Sequence, residues 1–152
     1  MALDELYQEI ILDHYKQPRN QGTMSDADVK LQGRNPLCGD EIEIFIKLKD
    51  NVVDKVAFQG SGCAISQASA SVMTEMIKGK TLEEARKLVE TFSTMVKGEG
   101  MPEGLDDMDD MAAFRGVSEF PTRVKCALLA WKTFSQAIQE KSECDDCQTY
   151  NE

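Results

Sequence analysis

Between residues 41 and 59 the chain alternates apolar and polar positions, turns, and alternates again. Ile42, Ile44, Ile46 and Leu48 are interleaved with Glu41, Glu43, Phe45 and Lys47, a period of two that turns one face of a strand toward a core. Lys49-Asp50-Asn51 supplies a turn, and Val52 to Gln59 returns antiparallel with Val56 and Phe58 on one face. Val29 to Gln32 adds a shorter strand. A sheet with one apolar face must be covered, and the remaining sequence supplies helices to cover it.

Leu3, Leu6, Tyr7, Ile10, Ile11 and His14 recur at three- and four-residue intervals before Pro18, the stripe of an amphipathic helix. His14, on that stripe, reads as a packed structural residue. After Gly60-Ser61-Gly62-Cys63 a helix runs from Ala64 to Lys78 and stops at Gly79. Thr81-Leu82-Glu83-Glu84 is a capping-box sequence, followed by the face Leu82, Ala85, Leu88, Val89, Phe92 and Val96. Residues 98 to 110 hold three glycines, one proline and six acidic groups, the composition of a solvated loop. Met111 and Ala112, with Met108, begin a short helix beyond it, and the methionines fill local apolar gaps. Ser118 as cap and Pro121 in the first turn open a last helix with the stripe Val124, Ala127, Leu128, Trp131, Phe134 and Ile138. The expected fold class is α+β: a small antiparallel sheet of about three strands with helices packed on one face. One domain, residues 1–140, precedes a polar tail, 141–152.

The balance of 17 basic and 27 acidic side chains gives a formal charge of −10, which repels phosphate backbones and anionic lipid. Neither nucleic acid nor a membrane is expected as a partner. The first residues are acidic where a secretory signal is basic, so the expected location is cytoplasmic. Five cysteines, at 38, 63, 126, 144 and 147, cannot all pair within one chain, and in a reducing compartment such a set points to metal binding or catalysis.

Cys38 and Asp40 flank Gly39 in a turn before the first strong strand, so a thiolate and a carboxylate can face one side of a bend. If the strands meeting near Asp50 pair, the start of one and the end of the other share a sheet edge, which makes Cys38 and Cys63 neighbours. Cys63 stands at a helix start, where free amides favour a thiolate. Cys126 lies in the first turns of the last helix, off its apolar stripe and just after Arg123 and Lys125, cations that also favour a thiolate. Three sulfurs and one carboxylate form a tetrahedral set suited to zinc. The separations, 63 − 38 = 25 and 126 − 63 = 63 residues, match no short zinc-finger pattern. On spacing alone, a shared site and separate small buried side chains both stand.

Asp13-His14-Tyr15 with Pro18-Arg19-Asn20 and Gly22, Asn35 to Asp40, Gly60 to Ser66, and Arg123 to Ala127 followed by Leu128 and Trp131 resemble, in order, the motifs of the U-type iron–sulfur cluster assembly proteins, IscU and SufU. The likeness spans about residues 3 to 140. It implies that Cys38, Asp40, Cys63 and Cys126 meet at one exposed end of an α+β fold and that the partner is a cysteine desulfurase. IscU-type members have a histidine directly before the third cysteine, where this chain has Lys125, and the stretch from Gly98 to Arg115 resembles the insertion that separates SufU from IscU. The SufU-like branch implies tightly held zinc and sulfur transfer from a SufS-like desulfurase toward downstream cluster-assembly proteins. There a desulfurase histidine replaces Cys38 on zinc, and Cys38 attacks the desulfurase persulfide. Asp40, Cys63 and Cys126 retain the metal, and Arg123 pairs with Asp40 or stabilises the released thiolate. The alternatives are a scaffold holding iron or a [2Fe–2S] cluster on the same ligands and a purely structural zinc domain. Cys144-Asp145-Asp146-Cys147 has redox spacing but lies in the polar tail, where the aspartates raise thiol pKa.

Overall fold

The computed structural model describes residues 5–35, 39–99 and 109–147. Three antiparallel strands, β1 (Val29–Asn35), β2 (Asp40–Lys49) and β3 (Val52–Ser61), lie in the order β1-β2-β3. Asp50 and Asn51 both have positive φ, 54° and 66°, the backbone of a two-residue hairpin turn whose twist matches the flanking strands. Ile42, Ile44, Ile46, Val53, Val56 and Phe58 are buried on the inner face, as the alternation requires. Outside, Glu41 and Gln59 remain exposed. Asn20–Gly22 adds a short parallel contact to the free edge of β3, Phe58 N–H donating to Asn20 O and Gly22 N–H to Phe58 O.

The first strand is longer than Val29–Gln32. It continues through Gly33 because a side chain there would collide with Thr133 of the last helix, so the glycine permits a close strand-to-helix approach. β1 and β2 are joined by the short connection that holds Cys38, with Asn35 paired opposite Asp40.

The helices are α1 (Glu5–Lys16), α2 (Ala64–Ile77), α3 (Leu82–Val96), α4 (Asp109–Ala112) and α5 (Pro121–Cys147). α2 is buried from Ile65 to Thr74, which its many alanines and serines allow. α3 carries the expected capping box, Glu84 N–H donating to Thr81 Oγ1 at 3.1 Å and Thr81 N–H to Glu84 Oε1 at 3.0 Å. Phe92 stacks on Trp131 of α5 at 4.3 Å and meets Phe114 edge-on at 5.6 Å, joining α3, α5 and the segment after α4 in one core.

Ser118 does not cap α5. It belongs to a 3₁₀ turn, Arg115–Glu119, where its hydroxyl donates to Arg115 O at 3.3 Å. A serine three residues before Pro121 is too far from the first helical amides to reach them once the turn is tightened. Met111 is fully buried, as a gap-filler should be, whereas Met101 and Met108 lie outside the described residues. The backbone of α5 stays helical through Cys147. The side chains of Cys144 and Cys147 lie outside the described residues. Among those residues, no helix is long and apolar enough to cross a membrane.

Candidate metal centre

Three elements end at one corner of the sheet. β2 begins there with Asp40, β3 ends there at Ser61, and α2 starts three residues later, with Glu41 paired to Ser61 across the strands. Cys63 is the N-cap of α2. Its sulfur accepts Ser66 N–H at 3.5 Å, and the Ser66 hydroxyl donates to Cys63 O at 3.1 Å. A sulfur in that position faces the positive end of the helix. Asp40 is fully buried, and its Oδ1 accepts Cys63 N–H at 2.9 Å. Gly62 makes this approach possible: a Cβ on it would collide with Asp40 Oδ1 and stand 2.9 Å from Ser66 Oγ.

Cys126 arrives from α5, 3 % exposed. It is less open than a sulfur pointing past the core into the loops, but it reaches the same corner. Asp40, Cys63 and Cys126 each offer one ligand atom, and these atoms lie within 4.8 Å of one another. Cys63 Sγ and Asp40 Oδ2 are 3.8 Å apart. A tetrahedral ion bonded to sulfur at about 2.3 Å and to oxygen at about 2.1 Å holds those two atoms about 3.6 Å apart, so this pair stands close to a chelating distance already. A carboxylate and two thiols, two of the three buried and the Cys63 sulfur partly so, are all anionic when deprotonated and then repel one another unless a cation or protons intervene. Soft sulfur predominates, the donor chemistry of zinc and iron–sulfur sites.

Cys38 lies outside the described residues. The positions flanking it are tied together, Gly39 N–H donating to Asn35 O at 2.9 Å, directly beside Asp40. Arg123 is exposed on the rim of an apolar groove that also touches Leu12, Ala64, Ile65 and Phe120. Among the described residues it makes no ion pair with Asp40. Two further contributors, Ser66 and Asn35, stand inside the family-like motifs without a role of their own having been expected for them. The Asn35 side chain is buried and its Nδ2 donates to Cys126 Sγ at 3.9 Å.

His14 is not part of this corner. It is buried against the middle of α2, with Nδ1 2.7 Å from Ser71 Oγ and Nε2 2.7 Å from Asp110 Oδ2. Both ring nitrogens are thereby occupied, which agrees with a packed structural role.

The family model for the NifU-like N-terminal domain matches residues 6–127. This chain belongs to that family. The matched region includes every residue of the corner just described. The zinc-dependent sulfurtransferase SufU of Bacillus subtilis is 44% identical over 139 residues, covering 91% of this chain and 93% of its own. The iron–sulfur cluster assembly scaffold protein IscU of Thermotoga maritima is 40% identical over 142 residues, covering 93% and 99%. Among solved structures, a putative iron–sulfur cluster assembly scaffold protein for the SUF system from Fervidobacterium islandicum superposes with a TM-score of 0.79 at 37% identity, covering 85% of this chain and 93% of that one. The family membership and the α+β fold therefore agree with the sequence motifs. The protein is a member of an iron–sulfur cluster assembly family.

Proposed function

We propose that this family member is a zinc-dependent sulfur acceptor that takes persulfide sulfur from a SufS-like cysteine desulfurase and passes it to downstream cluster-assembly proteins in the cytoplasm. The observation that carries this reading is the convergence of Asp40, Cys63 and Cys126 within 4.8 Å beside the hairpin connection that holds Cys38. Lys125 in place of a histidine before Cys126 and the 44% identity to a protein named as a zinc-dependent sulfurtransferase support zinc over a cluster.

The four residues that would hold the ion are Cys38, Asp40, Cys63 and Cys126, and bound zinc would keep the thiols deprotonated at neutral pH. Cys38 is the acceptor. Its thiolate attacks the outer sulfur of the desulfurase persulfide, a sulfur–sulfur bond forms to Cys38 as the original one breaks, and the desulfurase cysteine leaves as a thiolate. No net electron transfer is required. Cys63 caps α2 and Cys126 sits on α5, so both keep their places, while Asp40 is held by the Cys63 amide. Arg123, exposed beside the start of α2, is assigned to stabilise the thiolate of Cys38 when it is free of the metal.

Metal analysis combined with desulfurase turnover tests the reading. About one zinc per chain, with turnover stimulated by the wild type and not by Cys38→Ala, is the expected result. Iron with acid-labile sulfide would instead favour a [2Fe–2S] scaffold on the same ligands, the function named for the Thermotoga relative. Zinc with undiminished stimulation by Cys38→Ala would remove Cys38 as acceptor.

A further inference from the structure

Asn35 suits the turn it opens, but its burial asks for a further account of its side chain. It is the last residue of β1, paired opposite Asp40, and 7 % exposed. Asparagine is depleted in strands, and burying a carboxamide is costly unless its polar atoms find partners. Departures from local preference concentrate at functional positions.

Its contacts divide between backbone and side chain. The Asn35 carbonyl accepts Gly39 N–H at 2.9 Å and so closes the connection that holds Cys38. Any residue could make that bond. The side chain does something only a donor can do: Nδ2 points at Cys126 Sγ, 3.9 Å away, at the outer range of N–H to sulfur contacts. Cys63 receives a comparable donor, Ser66 N–H at 3.5 Å. Both described cysteines of the centre therefore have an N–H directed at sulfur, one from the main chain at a helix start and one from a side chain. An N–H that donates to a thiolate draws off charge and makes the sulfur a weaker nucleophile, whether or not it is metal-bound.

We infer that Asn35 is a positioning residue: its carboxamide holds the Cys126 sulfur in the centre and quiets its nucleophilicity, so that Cys126 stays a ligand instead of competing as a sulfur acceptor. The inference rests on the zinc-centre reading. It divides labour among the cysteines through the contacts of their sulfurs, since nothing in the sulfur atoms themselves distinguishes them.

The test is alkylation of the zinc-loaded full-length protein by iodoacetamide, followed at Cys63 and Cys126 separately by peptide mass spectrometry. Asn35→Leu keeps approximate size and neutrality without the donor, and Asn35→Ala removes the side chain. In both variants Cys126 should react about three- to tenfold faster than in wild type, the scale of one lost hydrogen bond, while Cys63 changes by less than about twofold. Unchanged rates at Cys126 would overturn the inference. Equal acceleration at both cysteines, accompanied by a lower melting temperature, would also overturn it and leave Asn35 a turn-closing residue only. The wild-type arm reads the foundation independently: if zinc protects neither cysteine there, the zinc centre fails and the inference falls with it.

Discussion

Helix α2 serves two largely buried polar clusters, and they are built on opposite principles. At its N-terminus, Cys63 meets Asp40 and Cys126, three groups that become anionic when deprotonated and that converge within 4.8 Å. At its middle, Ser71 meets His14 and Asp110, with the Arg19 N–H also donating to Ser71 Oγ at 2.8 Å. The second cluster is complementary. If Nε2 carries the proton, it donates to Asp110 while Nδ1 accepts the serine hydroxyl, and every atom is satisfied without an external partner. The first cluster has an excess of acceptors, and a cation completes it. The seryl-histidyl-aspartyl set has the composition of a hydrolytic triad, yet its serine is fully buried and has no access to a substrate. Convergence of like groups marks a ligand site, whereas convergence of complementary groups marks a structural one.

Substitutions should separate the two clusters. The largest effect is expected at the sulfurs: Cys63→Ala or Cys126→Ala should weaken zinc binding by more than about 100-fold, beyond the range for outer-shell partners, in a chelator competition. Retention of near-native affinity by either variant would mean that its sulfur is not a ligand. His14→Ala should show the reverse pattern. It deletes one buried and one part-buried hydrogen bond and opens a cavity, so it should cost about 2–4 kcal/mol in urea unfolding while zinc affinity stays within about threefold. A comparable loss of zinc affinity in that variant would show that the clusters are coupled through α2. Gly62→Ala lies between these cases, because its Cβ would push on Asp40 Oδ1 and Ser66 Oγ. We expect a cost of about 1–3 kcal/mol together with weaker zinc binding; a variant with native affinity would show that Asp40 can move aside at no cost to the centre.

The same contrast explains what the sequence reveals and what it conceals. Ile42, Ile44 and Ile46 declare the hairpin through strict alternation, and the hairpin brings Asp40 and Cys63 to one corner through local geometry. The contribution of Cys126 is harder to read. Its arrival depends on how α5 crosses β1, which Gly33 and Thr133 decide by contact, and spacing alone leaves it open. The partners of His14 are 57 and 96 residues away, and no periodicity links them, so burial was legible from the stripe but the cluster was not. Asn35 reads as a turn residue because its neighbours are Pro36 and Gly39. Only the placement of α5 gives its side chain a sulfur to face. Ser118 failed as a helix cap for a related reason: serine suits both caps and tight turns, and the intervening 3₁₀ turn claimed it.

The smallest expected effect lies at the surface on α1, one residue before His14. Arg19 donates to Asp13 Oδ2 at 2.6 Å, and this hydrogen bond, opposed by desolvation and reinforced by the guanidinium charge, holds the Asp13 carboxyl below its ordinary range. A carboxyl whose folded-state pKa is depressed contributes stability above its unfolded value and loses it as pH falls through the folded one. Any advantage of wild type over Asp13→Asn should therefore be present near neutrality and fade under acid conditions. Because the pair is exposed, added salt should shrink it as well. Urea midpoints measured for both proteins at neutral and acid pH, at low and high salt, check this. A difference that persists unchanged below the ordinary carboxylate range would mean that Asp13 acts through shape, with its charge irrelevant.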